Sequence, residues 1–406
     1  MQRIRQLVPV FFLAAVLMPA VVRAEPLAPL ADWMRSLVEQ NRVLGCAAQV
    51  TQGGRTIFLE AYGHRTPMAE DELRTDQVVR IYSMTKAITS AAIMQLVEQG
   101  QLGIDDPVSR YIPEFTEVRV GLEEASRSPS RGITIRDLLT HTSGLAYDFS
   151  CPPEYKHAYE TVFRQSGTLE KAGAGMAQLP LLHDPGEQFT YGVNTDVLGR
   201  VVEVVAEQPF QEYLEAEIFE PLGMVDTAFE PPADLHRMHI VTRVDGELQI
   251  DQAHYAAEAD RALKPRFPSG GGGLWSTLSD YTRFMQAMER GGELDGVRIL
   301  KPATVAFMTQ NHLSPSIDGP QRFGLGFGLE PPVQTSRGMR GGGRWTWGGA
   351  ASTYFLIDPR QDLTAVFITQ KFPFDFSMAE EFPKAVLEAV AVAQPTSASE
   401  GTGPDR

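Results

Sequence analysis

The sequence predicts an α/β fold of the α+β type, in which both chain ends build one antiparallel sheet flanked by helices. The strand-like segments lie in residues 40–66 and 340–372, and a mostly helical insertion, from about residue 84 to residue 265, separates them. Two observations carry this prediction. Each chain end contains two apolar segments joined by a short polar turn, and the middle shows apolar residues at helical spacing.

Two hairpins are predicted, one near each chain end. A helix at residues 30–39 precedes the first hairpin, whose turn is Gln52-Gly53-Gly54-Arg55. Residues 358–362 form the corresponding turn near the other end, and both turns have the composition typical of strand connections. The predicted strands are residues 46–51 and 56–62 of the first hairpin and residues 351–357 and 363–369 of the second.

The middle of the chain is predicted to be helical. Ile88, Ala92 and Leu96 recur at helical spacing within residues 84–99, and the pattern stops at Gly100. Four consecutive glycines, residues 270–273, predict a flexible or closely packed turn. The other predicted helices are residues 134–140, 195–206, 210–220 and 279–289, followed by a last helix at 378–393.

The composition is that of an ordinary globular protein. The chain has 406 residues, of which 43% are hydrophobic and 21% charged, so it can bury a substantial core. Thirty-six basic and 51 acidic residues give a net charge of −15. Because nucleic acid and anionic lipid would repel such a chain, neither is expected as a partner.

Residues 1–24 are predicted to be a cleavable signal peptide. Arg3 and Arg5 precede an apolar run, residues 7–22, and Ala24 offers a small residue before the cut. The alternative is an uncleaved anchor, but the run is shorter than the roughly 20 residues that span a bilayer. We therefore expect a periplasmic or secreted protein with one domain at 25–393, no membrane attachment after cleavage, and a disordered tail at 394–406.

The chain has two cysteines, Cys46 and Cys151. An oxidising compartment would permit a bridge between them. Because Cys46 falls in a predicted core strand and Cys151 in a predicted surface loop, we expect both thiols to stay unpaired.

Ser83-Met84-Thr85-Lys86 is the only Ser-x-x-Lys sequence in the chain. Ser83 lies where the helical pattern begins, so Lys86 follows one turn later on the same face. A serine hydroxyl becomes a strong nucleophile when a neighbouring base removes its proton, and a lysine whose pKa is lowered can be that base. The alternative is a helix-capping serine followed by a surface lysine.

Two further segments bear on this pair. Residues 185–193 contain Tyr191 in a turn before a predicted helix, where a tyrosine can act as a second acid or base; the alternative is a buried structural tyrosine. Residues 345–350 contain Trp347, Gly348 and Gly349 at the start of a strand. The two glycines allow close approach of a ligand, or they satisfy a packing requirement.

In this order, the three motifs resemble those of serine penicillin-recognising enzymes. The sequence is similar to the class C beta-lactamase-related group and, within it, to the family VIII carboxylesterases. The likeness covers nearly the whole mature chain. It includes residues 80–86, 138–145, 196–199 and 271–277.

The resemblance implies a role for each motif. Ser83 would be the acylated nucleophile, Lys86 its general base, and Tyr191 the group that passes protons to the leaving group and helps activate the deacylating water. The backbone N–H groups of Ser83 and Ala350 would form an oxyanion hole, in which one donor contributes about 3 kcal/mol to the transition state. Which of Lys86 and Tyr191 takes the first proton stays open. No cofactor and no metal are implied.

Two positions depart from the lactamase pattern. Val193 stands where lactamases of this group have an asparagine, and Asn194 is interpreted as the N-cap of the next helix. Trp347 replaces the lysine that pairs with the substrate carboxylate. With Val193, Trp347, Gly348 and Gly349 as pocket residues, a small-molecule ester with apolar groups is the expected substrate.

Three functions are alternatives to a carboxylesterase. A beta-lactamase or D-Ala-D-Ala carboxypeptidase would act on cell-wall-type substrates, and a non-catalytic penicillin-binding-like module would bind without turnover. A metal site is disfavoured, because His236 and His239 lack a third ligand and are expected on the surface or in a loop. His141 and Ser143 are interpreted as a helix end and turn rather than a catalytic pair. The oligomeric state is not predicted.

Overall fold

A computed structural model describes residues 27–67, 70–164, 167–230, 237–254, 267–317, 322–330, 333–335, 338–340 and 343–393. The predicted signal peptide, the predicted disordered tail and His236 lie outside these residues. No helix within the described part of the chain is long and apolar enough to cross a membrane.

The strands form one large sheet and four two-stranded pairs, counted over the described residues. In chain order they are β1 Gly45–Gln52, β2 Arg55–Gly63, β3 Val79–Arg80, β4 Val241–Val244, β5 Glu247–Ile250, β6 Trp275–Ser276, β7 Glu293–Leu294, β8 Val297–Arg298, β9 Gly328–Glu330, β10 Val333–Thr335, β11 Gly338–Arg340, β12 Arg344–Gly349, β13 Thr353–Asp358 and β14 Leu363–Ile368.

The large sheet joins the two chain ends, which confirms the predicted fold class. Its order is β2-β1-β14-β13-β12-β9, and all its neighbouring strands are antiparallel. β1 lies between its hairpin partner and the last strand, with Ala48 opposite Glu60 on one side and Phe367 on the other. The sheet therefore needs both ends of the chain to be in place.

The described helices flank this sheet and fill the insertion. They are α1 Ala28–Glu39, α2 Thr85–Glu98, α3 Ile135–Leu139, α4 Lys156–Arg164, α5 Leu169–Met176, α6 Asn194–Ala206, α7 Phe210–Leu214, α8 Glu220–Leu222, α9 Leu278–Glu289, α10 Pro302–Met308 and α11 Phe376–Ala393.

Most predicted helices are present, but two details differ. The helix predicted over 210–220 is broken into α7, a π-helical turn at Glu215–Phe219, and α8. The helices α4 and α5, which no sequence pattern predicted, lie between α3 and α6. The insertion is therefore more helical than predicted.

Two hydrophobic clusters lie on opposite faces of the sheet. The smaller one packs α1 and α11 against the sheet and includes Leu30, Phe367 and Phe382. The larger one contains α2, α6 and α9. Because α2 is buried on every side from Thr85 to Leu96, a lysine in its first turn is removed from solvent.

Both cysteines are free thiols, as predicted. Cys46 is completely buried in β1, and this burial raises the pKa of its thiol. Cys151 is half-buried in the loop that follows Ser150.

Candidate active site

Ser83 lies at the junction between β3 and α2. It is the middle residue of a 3₁₀ turn, Tyr82–Met84, and α2 begins at Thr85. β12 and the start of β13 pack against this turn. A Cβ atom added to Gly349 would lie 2.3 Å from the carbonyl oxygen of Ile81, so glycine is required for this close approach. The packing requirement thus accounts for Gly349.

Lys86 is buried beneath Ser83, with only 2% of its surface exposed. Its Nζ donates to the carbonyl oxygen of Gly271 at 2.6 Å and lies 3.3 Å from Ser83 Oγ and 3.1 Å from Tyr147 Oη. A carbonyl oxygen can only accept, so one N–H is committed to Gly271 and the amine is aimed at the serine. The turn at 270–273 is thus closely packed rather than flexible.

Tyr191 approaches Ser83 from the other side. Its hydroxyl donates to Ser83 Oγ at 2.6 Å, and its ring lies beside the Lys86 amine, with Nζ 4.7 Å from the ring centroid. Three groups that are separated in sequence by up to 108 residues are therefore in hydrogen-bonding contact. The serine oxygen is contacted by the Lys86 amine on one side and by the Tyr191 hydroxyl on the other.

Tyr147 and Asp196 extend this network into the core. Tyr147 Oη donates to Asp196 Oδ2 at 3.3 Å, while Ser269 Oγ and the backbone N–H of Gly271 donate to the other carboxylate oxygen. Burial raises the pKa of the Tyr147 phenol well above its ordinary value, and the neighbouring Asp196 raises it further. Tyr147 is therefore a neutral hydroxyl that links Lys86 to a buried carboxyl. Burial raises the pKa of the Asp196 carboxyl, while Lys86 and the hydrogen bonds oppose this.

Tyr147 is part of this network although no motif in the sequence indicated it. It lies two residues after the segment 138–145 that carries part of the family resemblance, and this proximity was the available signal. No spacing rule links it to Lys86, which lies 61 residues away in sequence.

His141 and Asn194 support Tyr191 from behind. Asn194 Nδ2 lies 2.9 Å from His141 Nδ1, and Asn194 Oδ1 accepts a hydrogen bond from Ser143 Oγ. The imidazole lies 4.9 Å from the Tyr191 ring, measured between centroids. Burial, followed by the charge of Lys86, lowers the pKa of His141 well below its ordinary value, so the ring is neutral.

These contacts correct the interpretation of Asn194. α6 begins at Asn194 itself, its N-cap position is Val193, and no side chain caps it. The Asn194 side chain is instead buried and bonded to His141 and Ser143, which makes it a brace for the Tyr191 turn. His141 and Ser143 lie beyond the end of α3, as predicted, and His141 has a positive φ of 57°.

The predicted pocket residues are not all equivalent. The ring of Trp347 is half-buried and lies 5.5 Å from the Tyr191 ring and 5.1 Å from the Phe323 ring, so it forms a wall beside Ser83. Val193 is completely buried in the larger hydrophobic cluster. Its side chain therefore packs in the core, in contrast to the prediction that it lines the pocket.

Gly348 and Ala350 are half-buried on either side of the buried Gly349, at the end of β12 beside the serine turn. A Cβ atom on Gly348 would lie 2.7 Å from the Phe374 ring, so this glycine too serves packing. Packing therefore accounts for both glycines without the close approach of a ligand. The assignment of the Ser83 and Ala350 N–H groups as an oxyanion hole stays a prediction.

The described residues contain no cluster of histidine, cysteine or acidic side chains that could hold a metal. His239 was predicted on the surface or in a loop. It lies in a loop, but it is buried, with 6% of its area exposed.

Residues 30–389 match the protein family described as Beta-lactamase. The chain is 34% identical over 360 residues to Protein Rv1367c of Mycobacterium tuberculosis, an alignment covering 84% of this chain and 89% of that protein. It is 30% identical over 355 residues to Esterase EstB of Burkholderia gladioli, covering 82% and 87%. The solved structure of EstCE1, "a hydrolase with promiscuous acyltransferase activity", superimposes with a TM-score of 0.76 at 27% identity, covering 90% of this chain and 98% of that one. The likeness thus extends over most of the chain.

Proposed function

The chain belongs to the beta-lactamase family, and from this premise we propose that it is a serine carboxylesterase that hydrolyses apolar esters through an acyl-enzyme on Ser83. One observation carries the proposal: Ser83 Oγ lies 2.6 Å from Tyr191 Oη and 3.3 Å from Lys86 Nζ. This is the contact between nucleophile and base that covalent catalysis requires.

In the first half of the reaction, the Ser83 hydroxyl gives its proton to one of two bases, a neutral Lys86 amine or a Tyr191 phenolate, and attacks the ester carbonyl carbon. The carbonyl oxygen becomes an oxyanion, which the backbone N–H groups of Ser83 and Ala350 would stabilise. Tyr191 then donates a proton to the departing alcohol oxygen. The C–O bond of the ester breaks, and the acyl group remains on Ser83.

Water completes the cycle. It loses a proton to Tyr191 or Lys86 and attacks the acyl carbon, and Ser83 leaves with a returned proton. Throughout, Tyr147 holds Lys86 through its neutral hydroxyl, and Asp196 compensates the positive charge of the buried amine in its protonated form. Both residues act through Lys86 and are therefore positioning residues.

The preference for an ester over a lactam rests on Trp347. Its ring packs against Tyr191 and Phe323 where related lactamases present a lysine. An anionic substrate would lose hydration there without gaining a cationic partner, at a cost of several kcal/mol. Esterase EstB and the hydrolase EstCE1 support the same preference through their similarity to this chain.

We also propose export with removal of residues 1–24. The basic start, the apolar run and Ala24 support this proposal. Mass spectrometry of protein purified from the native host should give a chain that begins at Glu25, and an intact leader would contradict it.

The central test offers the mature protein p-nitrophenyl esters of graded chain length and a chromogenic cephalosporin, with Ser83→Ala as the matched variant. We expect turnover of the esters that Ser83→Ala abolishes, and one fluorophosphonate adduct that maps to Ser83. An adduct on another residue would contradict the mechanism. Faster turnover of the cephalosporin would favour a beta-lactamase, and no turnover of either would favour a binding module.

A further inference from the structure

Phe149 presents an exposed aromatic ring beside the site. It is 72% exposed, yet its ring stacks on that of Tyr147, with centroids 5.1 Å apart and planes at 15°. Its centroid is 6.4 Å from that of Tyr191. The rings of Phe149, Tyr147 and Tyr191 therefore form a continuous aromatic surface that begins at the nucleophile and ends in solvent.

The backbone holds this exposed ring in a fixed position. Phe149 lies in a turn in which the Ser150 N–H donates to the carbonyl oxygen of Tyr147 at 3.1 Å, and the Tyr147 N–H donates to Ser150 Oγ at 2.8 Å. Ser150 Oγ in turn donates to the carbonyl oxygen of Tyr191 at 2.6 Å. The turn that carries Phe149 is thus bonded directly to the backbone of Tyr191, and little conformational freedom remains to be lost when a ligand binds.

The geometry of the reaction fixes which part of a substrate meets this surface. The leaving oxygen must come within hydrogen-bond distance of Tyr191 Oη to receive its proton. The group attached to that oxygen then extends over the side of the site where Tyr191, Tyr147 and Phe149 lie. Tyr147 is 91% buried and its hydroxyl is bonded to Lys86 and Asp196, so Phe149 supplies the open area.

We propose that Phe149 forms the outer wall of a subsite for the alcohol part of the ester and selects alcohols that carry an apolar ring. This inference rests on the proposed function and deepens it, because it names the leaving group that the site prefers. Aromatic pairs prefer stacked or edge-to-face contacts at ring separations of about 4.5–7 Å. The exposed face of Phe149 offers such a contact.

The test uses two esters with the same acyl group, benzyl butyrate and ethyl butyrate, and measures acid release by titration. In Phe149→Ala we expect kcat/KM for benzyl butyrate to fall about 10-fold, as the loss of one ring contact and its buried area implies. For ethyl butyrate we expect a change of less than about twofold. The two esters give the same butyryl-enzyme, so the deacylation rate constant should stay unchanged. Phe149→Leu should give an intermediate loss.

Phe376→Ala is the matched control, because Phe376 is a comparably exposed phenylalanine, 76% accessible, in the first turn of α11. Equal losses for both esters, or no loss at all, would each overturn the subsite. If the wild type hydrolyses both esters and only the selectivity fails to change, the proposed function stands. If it hydrolyses neither, the proposed function is wrong and the subsite is overturned with it.

Discussion

Ser83 Oγ is contacted by two groups whose surroundings differ. Lys86 is buried and bonded to a backbone carbonyl and to Tyr147, whereas Tyr191 is half-buried. A proton delivered to a departing alcohol must come from a group that the alcohol can reach. In the proposed mechanism Tyr191 is that group, because it is half-buried whereas Lys86 is buried.

Tyr191→Phe should therefore lower kcat while leaving the binding of neutral esters nearly unchanged. General acid–base catalysis contributes about 10²- to 10⁴-fold, so we expect a loss in that range in steady-state hydrolysis of a p-nitrophenyl ester. Tyr62→Phe on β2 is the control and should retain activity within about twofold. A Tyr191→Phe variant with near-normal kcat would assign the proton transfers to Lys86 alone.

Trp347→Lys should shift selectivity toward substrates with a free carboxylate. The substitution adds a cation beside Tyr191 and removes the apolar wall shared with Phe323. We expect the ratio of kcat/KM for a cephalosporin to that for a neutral short-chain ester to rise at least about 10-fold, since a charge-assisted hydrogen bond is worth about 1.5–3 kcal/mol. An unchanged ratio, or a wild type that already prefers the cephalosporin, would remove the main support for an esterase.

At the scale of elements, β12 packs closely against the turn before α2 because Gly349 has no side chain. In Gly349→Ala the new Cβ would lie 2.3 Å from the Ile81 carbonyl oxygen, two residues before Ser83. We expect a loss of about 1–3 kcal/mol in the free energy of unfolding, measured in urea, together with reduced kcat. Gly132→Ala is the control, because no heavy atom lies within 4 Å of its added Cβ. Equal stability of the two variants would refute this packing argument.

His141 links the turn after α3 to the first turn of α6, and its neutrality makes the link sensitive to pH. Its pKa is lowered well below 6.5 in the folded protein. Below about pH 6.5 the imidazole is protonated in the unfolded chain but stays neutral in the folded protein. The free energy of unfolding therefore decreases as the pH is lowered, by up to about 1.4 kcal/mol per pH unit. Below the pKa of His141 in the folded protein, both states are protonated and the free energy of unfolding no longer changes through this group.

Urea unfolding at pH 7.5 and pH 5.0 tests this linkage. His141→Asn should lose less stability between the two pH values than the wild type, whatever its stability at pH 7.5. The same substitution at the exposed His157 should leave the wild-type difference unchanged. Equal pH dependence of His141→Asn and wild type would show that His141 is protonated equally in the folded and unfolded states.

At the scale of the whole molecule, the first and last parts of the chain complete one sheet and one core. α11 covers the smaller cluster through Met378, Phe382 and Val386, and β14 pairs with β1. Removal of residues 376–406 exposes that cluster, so we expect loss of the cooperative thermal transition in calorimetry. Removal of residues 394–406 alone should change Tm by less than about 2 °C. A cooperative transition in the longer truncation would contradict this dependence.

Local patterns in the sequence were sufficient for the parts of this protein that depend on near neighbours. Ser83 and Lys86 share a helix face because three residues make about one turn, and the hairpin turns follow from glycine and polar residues between apolar runs. The sheet built from both ends also followed, since exposed edges and apolar faces at the two ends can satisfy each other. Tyr191 and Trp347 were identified through the order of motifs.

Only the tertiary structure decided what surrounds Ser83. Tyr147 reaches Lys86 across 61 residues of sequence, and Tyr191 reaches Ser83 across 108. Whether a residue lines the pocket or fills the core depends on how the insertion packs against α2, which buried Val193 and exposed Phe149. Asn194 had the position of a helix cap but became a brace for the Tyr191 turn, because burial forced its amide to find partners in His141 and Ser143. Propensity and spacing describe contacts within a few residues, whereas the choice among distant partners is made by packing and by the need to satisfy each buried polar group.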